Sequence, residues 1–521
     1  MAAIITEKFR QHNAEQFLES FSEAAASNYY LFIGKATPFT TTTSGGSDTT
    51  PPAPQDTVTV ENYKWDSMLA AKRIGSTDVS FCVPRRNYVN GTVYDMYEHD
   101  VTTTNPAQSG AINLYDGKYF FMTSEFKVYK VLDNNNGAPI AAGANGPTST
   151  SSTPFFEGGY YLQYMYTLTT SEVQKFVTTD FMPVKTDSTV SADAVTASGD
   201  TAPYSGAPIK VVRVTSGSGY SNSNGTDGAG GPGGIYYSPI RGDGTGGKVK
   251  IVVVGGEIRP FGSNATTNTQ IEAAGENYTF GVVNLGDVYK DANLSTATTI
   301  GSGSNGVISP VISPRVGHGF NGQEELGGHF VMMNTKLEQT ETDDFAIGND
   351  FREVGILVDP TNAGTTTSAT ATQARLTYAV KFSSSTGTFE PDEKITQATN
   401  NATGRVVEFD ATNNILYYQQ EQFLNYGINS NSASSTYQQY IAFTGTNTIT
   451  GGTSGATGTP ANTSPTETLS NGGSIAFTSG GGGFALPELE PDSGKLIYVE
   501  NRRPISRASD QTEDIKIVVE F

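Results

Sequence analysis

The pattern of apolar and polar positions along the chain is typical of many short β-strands. Apolar runs, or large side chains that alternate with polar ones, mark residues 29–34, 79–83, 119–122, 126–132, 159–168, 209–214, 248–254, 278–283 and 514–521. Residues 389–418 predict three further short strands with turn residues between them. The sequence therefore predicts a β-rich chain.

Two segments instead predict helices. Within residues 7–26, the apolar residues that recur at helical spacing are Phe9, Phe17, Leu18, Phe21 and Ala25. Thr6 is placed to cap the start of this helix. We expect this aromatic stripe to cover a sheet. A second short helix is predicted over residues 61–72, which contain the only tryptophan, Trp65.

Composition changes along the chain predict a frame with two insertions. The chain has 521 residues, of which 58 are glycine and only 16% are charged. Glycine, serine and threonine concentrate in residues 186–330 and 363–484, which we interpret as inserted small β modules. The frame would then consist of residues 1–185, 331–362 and 485–521, with its two ends coming together. The predicted fold class is mainly β: a nested multi-domain β-sandwich frame with a few flanking helices.

The net charge and the cysteine content argue against several classes of function and fold: nucleic-acid binding, a disulfide-stabilised fold and a cysteine-based zinc site. A formal net charge of −20 repels phosphate backbones, so nucleic-acid binding is not expected. Cys82 is the one cysteine, and it supports neither a disulfide framework nor a cysteine-based zinc site. Residues 1–10 lack a signal-peptide pattern and no apolar run reaches membrane-spanning length, so we expect a protein made in a cytoplasm, without membrane contact.

No catalytic pattern stands out. Two stretches match G-x-G-x-x-G, at residues 242–247 and 301–306, but neither has the strand–turn–helix context that dinucleotide binding needs. Asp95, Glu98, His99 and Asp100 form an acidic cluster, which we interpret as a solvated loop because hard cations need several convergent oxygens. We predict no enzymatic activity, no cofactor and no metal.

Three segments combine charge, aromatics and turn residues in a fixed order. They are residues 5–10 (ITEKFR), residues 84–88 (PRRNY), and residues 497–505 (IYVENRRPI) followed by 510–513 (DQTE). Taken together they resemble the baseplate wedge protein encoded by gene 8 of T-even-type contractile-tail phages. The resemblance covers about half the chain, and the two Thr/Gly-rich insertions depart from it, in the manner of enlarged forms in cyanobacterial myophages.

The resemblance implies a structural subunit of the virion, assembled in the host cytoplasm into the tail baseplate. It implies a homodimer of nested β-sandwich domains without enzymatic role. Its expected partners are other wedge proteins, of the gene 7, gene 10 and gene 6 type.

The same segments contain the candidate partner-docking residues. The basic members are Arg85, Arg86, Arg502, Arg503 and Arg507, and the acidic members near the last three are Glu500, Asp510 and Glu513. One interpretation is an intramolecular ion-pair network that fixes the C-terminal turn. The other interpretation is docking on an acidic surface of a partner protein, since the planar guanidinium group of arginine can bind a carboxylate through two parallel hydrogen bonds.

Two alternative functions remain open from the sequence. A receptor-binding or fibre-type tail adhesin is suggested by the Gly/Ser/Thr-rich modules, although the sequence has no repeat at a fixed period. A tail-associated glycan hydrolase is suggested by abundant acidic residues, and it would need a carboxylate-lined cleft.

Overall fold

A computed structural model describes the chain in segments: residues 4–23, 26–40, 45–57, 64–186, 208–222, 234–314, 317–337, 350–420, 427–429, 431–469, 472–504 and 512–521. The chain forms two compact units. Unit 1 contains residues 1–16, 80–332 and 518–521, and unit 2 contains residues 17–79 and 333–517. Each unit is therefore assembled from segments far apart in sequence.

The regular elements are mostly short strands. The helices are α1 (Glu7–Glu19), α2 (Thr170–Phe176) and α3 (Gly322–Leu326). The strands up to residue 312 are β1 (Tyr29–Gly34), β2 (Met68–Ile74), β3 (Val79–Pro84), β4 (Phe120–Met122), β5 (Lys127–Asp133), β6 (Phe155–Glu157), β7 (Tyr160–Thr167), β8 (Phe181–Pro183), β9 (Ile209–Thr215), β10 (Gly234–Gly242), β11 (Lys248–Val254), β12 (Glu257–Ile258), β13 (Gln270–Ala273), β14 (Gly281–Val283), β15 (Val288–Tyr289), β16 (Ala297–Thr298) and β17 (Val307–Ile312). The later strands are β18 (Phe330–Leu337), β19 (Glu353–Val358), β20 (Gln373–Arg375), β21 (Tyr378–Thr386), β22 (Lys394–Gln397), β23 (Thr403–Asp410), β24 (Ile415–Gln419), β25 (Ile449–Gly451), β26 (Thr457–Pro460), β27 (Thr466–Thr468), β28 (Ser474–Ala476), β29 (Phe484–Ala485), β30 (Lys495–Asn501) and β31 (Glu513–Glu520).

Unit 2 is built on two antiparallel sheets. The first has the order β20-β2-β1-β19-β30, and its central strand β1 is buried along its whole length. The second has the order β24-β23-β22-β25-β26-β21-β29. Its core contains Val380, Phe382, Ile395 and Leu416, all buried. Strand β19 of the first sheet is also buried at every position, whereas strand β22 of the second sheet alternates exposed and buried residues, as a strand with one solvent-facing side does.

Unit 1 contains a four-stranded sheet, β4-β5-β7-β6, and a seven-stranded sheet formed by β10–β16. Strand β9 pairs with β17, and β3 pairs with β8 at Cys82 and Pro183. One hydrophobic core joins residues of the first sheet, such as Phe120, to residues of the second, such as Ile251. Burial raises the pKa of the Cys82 thiol to about 12, which keeps it protonated and unreactive.

The predicted mainly β fold with few helices is confirmed. The strand predictions hold with small shifts at their ends, except that the strand predicted over residues 278–283 is confined to β14. The three strands predicted within residues 389–418 are β22, β23 and β24.

Both helix predictions need correction. Helix α1 ends at Glu19, and Phe21 beyond it stacks on Tyr29 with ring centroids 4.0 Å apart. The second predicted helix is present as one helical turn at residues 64–67 and is wrong from Met68 onward, while residues 61–63 lie outside the described residues. Met68 begins strand β2, because its backbone pairs with β1 and β20. Sheet pairing here overrides a local helical pattern.

The hydrophobic core of unit 1 contains residues both from the predicted frame and from the first predicted insertion. Residues 209–312 share a hydrophobic core with residues 83–184, although the sequence suggests an insertion that begins at residue 186. The residues of the second predicted insertion form the seven-stranded sheet of unit 2. The division into frame and insertions stays a prediction about which segments fold on their own.

Candidate functional site

The first arginine pair is bound to main-chain carbonyls. Arg85 Nη1 donates to the carbonyl of Thr178 at 2.6 Å. Arg86 donates to the carbonyls of Gly117 and of Tyr115, the latter at 3.1 Å, and its guanidinium lies 4.4 Å from the centre of the Phe120 ring. Burial lowers the pKa of Arg86, although not enough to remove its charge. Both side chains therefore hold loops of unit 1 in place.

The C-terminal segment of unit 2 contains one of the expected ion pairs. Arg502 Nη1 lies 3.2 Å from Glu513 Oε1, and both side chains are mostly buried. The guanidinium also lies 5.4 Å from the centre of the Phe351 ring, and the Arg502 N–H donates to the carbonyl of Arg352 at 2.8 Å. One pair of the expected network is thus present, and the network that would fix the C-terminal turn stays a prediction, because residues 505–511 lie outside the described residues.

The remaining members of this set behave differently. Glu500 accepts a hydrogen bond from the hydroxyl of Tyr498 at 3.0 Å. Burial first, and then this hydrogen bond, raise the pKa of Tyr498 to about 12. Arg503 is exposed. Arg507 and Asp510 lie outside the described residues. Docking of Arg503 on an acidic partner stays a prediction.

Helix α1 is anchored in unit 1 through polar side chains on one face. Glu7 lies 3.4 Å from His329, and Arg10 lies 3.2 Å from Glu520 of strand β31. Gln11 Nε2 donates to the carbonyl of Glu324 at 3.3 Å. The start of the helix and the end of the chain are therefore neighbours within unit 1, as the sequence predicts.

The other side of the helix start exposes apolar side chains. Ile4, Ile5 and Phe9 are 86%, 65% and 52% exposed, respectively; we call these three residues the N-terminal patch. Thr6 caps the helix as predicted, since the N–H of Phe9 donates to its hydroxyl at 3.3 Å. The expectation that Phe9 is buried against a sheet is wrong. Further along the helix Ala14 is buried and Phe17 contacts the Tyr29 ring, so only the start of the helix departs from the ordinary arrangement in which the apolar side faces inward.

A buried charged pair, which the sequence analysis missed, lies in the core of unit 1. Lys130 Nζ lies 2.7 Å from Glu325 Oε2, and both side chains are almost completely buried. Lys130 also lies 4.0 Å from the centre of the Tyr97 ring, and Glu325 Oε1 accepts the N–H of Gly319 at 2.7 Å. Nearby, burial and then Lys130 lower the pKa of His318 well below its usual range, so this imidazole is neutral. The pair connects helix α3 to strand β5, and the hydrogen bond from Gly319 attaches the segment before α3 to the same carboxylate.

The acidic cluster at residues 95–100 is engaged in internal contacts. Asp95 accepts hydrogen bonds from the N–H and hydroxyl of Ser109, at 2.7 and 2.6 Å. Arg213 pairs with Glu98 at 3.0 Å and with Asp100 at 2.9 Å. These carboxylates organise loops of unit 1, and within the described residues no group of three or more His, Cys, Asp or Glu side chains could hold a metal ion.

The glycine motif at residues 242–247 lies in the turn between β10 and β11. Gly244 packs so closely on Tyr278 that an added Cβ would lie 2.5 Å from its ring. The Tyr278 hydroxyl accepts the N–H of Gly247 at 3.0 Å and donates to the carbonyl of Ile240. Gly244 and Gly247 thus make room for a buried tyrosine, whereas an added Cβ at Gly242 would meet the carbonyl oxygen of Phe280.

A comparison with protein-family models finds no match, and a comparison with curated proteins finds none. In the part of the chain that the structure describes, no helix is long and apolar enough to cross a membrane. The fold and the contacts above define the class: a mainly β protein of several antiparallel sheets.

Proposed function

We propose that this chain is a structural subunit of the baseplate wedge of a contractile-tail phage. It acts by protein–protein contact, as a homodimer, and has no enzymatic activity. Its partners are other wedge proteins of the gene 7, gene 10 and gene 6 type, and its place is the virion. The proposal rests on the resemblance of residues 5–10, 84–88 and 497–513 to the gene 8 wedge protein.

One structural observation supports a contact function: the N-terminal patch. Exposed apolar side chains that cluster on a surface are typical of protein–protein interfaces. Glu7, Arg10 and Gln11 hold the opposite side of α1 in place, so the patch is presented on an anchored element. Two of its three residues, Ile5 and Phe9, also lie within one of the three segments that carry the resemblance.

Partner capture tests this proposal. The wild-type chain and an Ile5→Ser/Phe9→Ser variant are each co-expressed with the gene 7-type wedge protein of the same phage, and the affinity of the purified complex is measured. Loss of an apolar anchor at an interface costs about 2 kcal/mol or more, so we expect binding to weaken at least roughly 30-fold.

Val89→Ser provides the matched control, since Val89 is 56% exposed in the same unit and lies outside the patch. Unchanged thermal unfolding of all variants shows that the fold is intact. Binding of the patch variant with wild-type affinity would exclude the patch as the contact surface. Absence of any complex with wedge-type proteins would contradict the proposed function.

A further inference from the structure

Unit 1 contains a cavity of about 320 Å³ that the proposed assembly function does not use. Its lining comes from residues 96–108, from the end of β5 and the turn that follows it, from β9 and from Phe261. All of the lining residues belong to unit 1. The volume lies at the lower end of the range of about 300–1,000 Å³ that is typical of small-ligand sites. The cavity therefore suits a ligand of a few heavy atoms.

A carboxylate on the wall of this cavity has no cationic partner. Asp133, the last residue of β5, lines the cavity and is only 8% exposed. Its Oδ1 accepts the N–H of Asn135 at 3.0 Å. Among the described residues this is the only hydrogen bond to the Asp133 side chain, and no lysine, arginine or histidine pairs with it. Asp133 Oδ2 is therefore free to accept a donor from a ligand.

The Asp133 carboxylate carries an uncompensated charge at neutral pH. Burial raises the pKa of Asp133 to about 6, and the hydrogen bond from Asn135 opposes this shift only in part. The group is thus mostly ionised at pH 7. A buried charge without a partner is costly, and a bound cation removes part of that cost. The cavity therefore gains more from a cation than from a neutral ligand.

The other charged residues of the lining already have partners. Arg213 lies 3.0 Å from Glu98, which also lines the cavity, and 2.9 Å from Asp100. Glu98 and Arg213 thus neutralise each other, and Asp133 leaves the lining with a net negative charge. This charge disfavours phosphates and other anions.

Hydrogen bonds hold the wall beside Asp133 in place. Asn134 Nδ2 donates to the carbonyl of Tyr94 at 2.9 Å and to Gln108 Oε1 at 2.7 Å. Asn134 Oδ1 accepts the N–H of Gly137 at 3.0 Å. The turn after β5 is therefore fixed before any ligand arrives, which reduces the entropy cost of binding.

The number of available oxygens distinguishes the classes of cation. Calcium and magnesium ions need several convergent oxygens, and within the described residues no group of three or more His, Cys, Asp or Glu side chains could hold a metal ion. A guanidinium group binds best through two parallel hydrogen bonds to both oxygens of a carboxylate, whereas Asp133 Oδ1 already accepts the Asn135 N–H. An ammonium group is a compact charge, and a single free oxygen is enough to bind it.

The apolar part of the lining favours an alkyl chain behind this charge. Its members are Met96, Val212, Val214 and Phe261. The Phe261 ring is held by the rings of Phe156 and Tyr161, whose centroids lie 5.8 and 5.4 Å from its own. Each methylene group that a ligand buries against such a wall adds to its affinity.

We propose that this cavity binds a small primary alkylammonium ion. The ammonium group donates a hydrogen bond to Asp133 Oδ2, and the alkyl chain packs against the apolar lining. This binding is independent of the proposed assembly function, because the cavity contains no residue of the N-terminal patch.

Saturation-transfer NMR on the full-length protein tests the proposal with n-butylamine, which is protonated at pH 7 as a lysine side chain is. n-Butanol is the neutral analogue of similar shape, and n-butylguanidine presents the bidentate cation. We expect saturable binding of n-butylamine with a Kd of about 1 mM. The other two compounds should bind at least about 10-fold more weakly, since one lacks the charge and the other lacks a second free oxygen.

An isosteric variant locates the site. Asp133→Asn keeps the shape of the side chain and removes its charge, so binding of n-butylamine should weaken about 10-fold or more. Asp180→Asn is the matched control. It removes one negative charge from the same unit, but Asp180 is exposed and does not line the cavity. We expect this control to bind like the wild type, and thermal unfolding of both variants shows that the fold is intact.

Four results would overturn the proposal. The first is the absence of saturable binding of n-butylamine. The second is equal affinity of the wild type and Asp133→Asn for this amine. The third is n-butanol binding as tightly as n-butylamine, which would identify an apolar cavity without a cation site. The fourth is tighter binding of n-butylguanidine than of n-butylamine, which would contradict the assignment to an ammonium group.

Discussion

The buried pair of Lys130 and Glu325 gives the sharpest stability prediction. Lys130→Met removes the cation and leaves the Glu325 carboxylate in the core, with the N–H groups of Gly319 and Asn321 at 2.7 and 3.3 Å as its remaining donors. Breaking a buried ion pair in this way costs about 3–5 kcal/mol. Because two hydrogen bonds to Glu325 survive, we expect the lower end, about 3 kcal/mol.

Hydrogen exchange followed by mass spectrometry measures this cost locally. Peptides from residues 127–133 and 317–326 report the free energy of local opening around Lys130 and Glu325. This measurement does not require that a chain of two units unfolds in one step. A loss of 3 kcal/mol corresponds to exchange that is about 100-fold faster in these peptides.

The double variant Lys130→Met/Glu325→Gln tests the cause. Glutamine removes the unpaired charge and keeps an oxygen for the Gly319 N–H, so we expect most of the protection from hydrogen exchange to return.

Lys127→Met is the matched control on the same strand. Lys127 pairs with the exposed Glu125 at 2.8 Å, and its loss should cost less than about 1 kcal/mol. If Lys130→Met behaves like Lys127→Met, or if the double variant is no better than the single one, the electrostatic account of this core is refuted.

Two further predictions concern titration and the C-terminal ion pair. Burial raises the pKa of Asp133 to about 6, so its contribution to stability is full below the unfolded pKa near 4 and is lost as pH rises through 6. Asp133→Asn should therefore raise stability at pH 7 by roughly 1–3 kcal/mol and leave it unchanged near pH 4, and equal urea midpoints at pH 7 would contradict this. Arg502→Ala removes the pair with Glu513 and the contact with the Phe351 ring, so we expect a loss of about 1–2 kcal/mol in thermal unfolding. A melting curve identical to the wild type would show that the pair contributes nothing.

The strands of this fold are predictable because their signal is local. Strand β1 reads as an unbroken apolar run and is buried at every position. Strand β2 illustrates the limit of local reasoning. Its residues Met68 to Ala71 fit a helical pattern equally well, and only pairing with β1 and with β20, about 300 residues later in the chain, decides the outcome.

The buried pair and the cleft could not be predicted, because their parts are far apart in sequence. Lys130 lies on the same side of strand β5 as the buried Val128 and Leu132, and its partner Glu325 follows 195 residues later. The cleft is a cavity of about 350 Å³ in unit 2, and it combines Trp65, Tyr378 and Tyr440 from three distant segments. The sequence does indicate the N-terminal segment as a special element, but the helical spacing of Phe9 predicts burial where the structure exposes it.

The mass of the purified protein in solution, measured by light scattering behind a sizing column, tests the central proposal most directly. A wedge subunit of the proposed type is a homodimer, so we predict a mass twice that of the 55.2 kDa chain. A stable trimer would contradict the wedge assignment and favour a fibre-type adhesin. A monomer at all concentrations would contradict the predicted dimer.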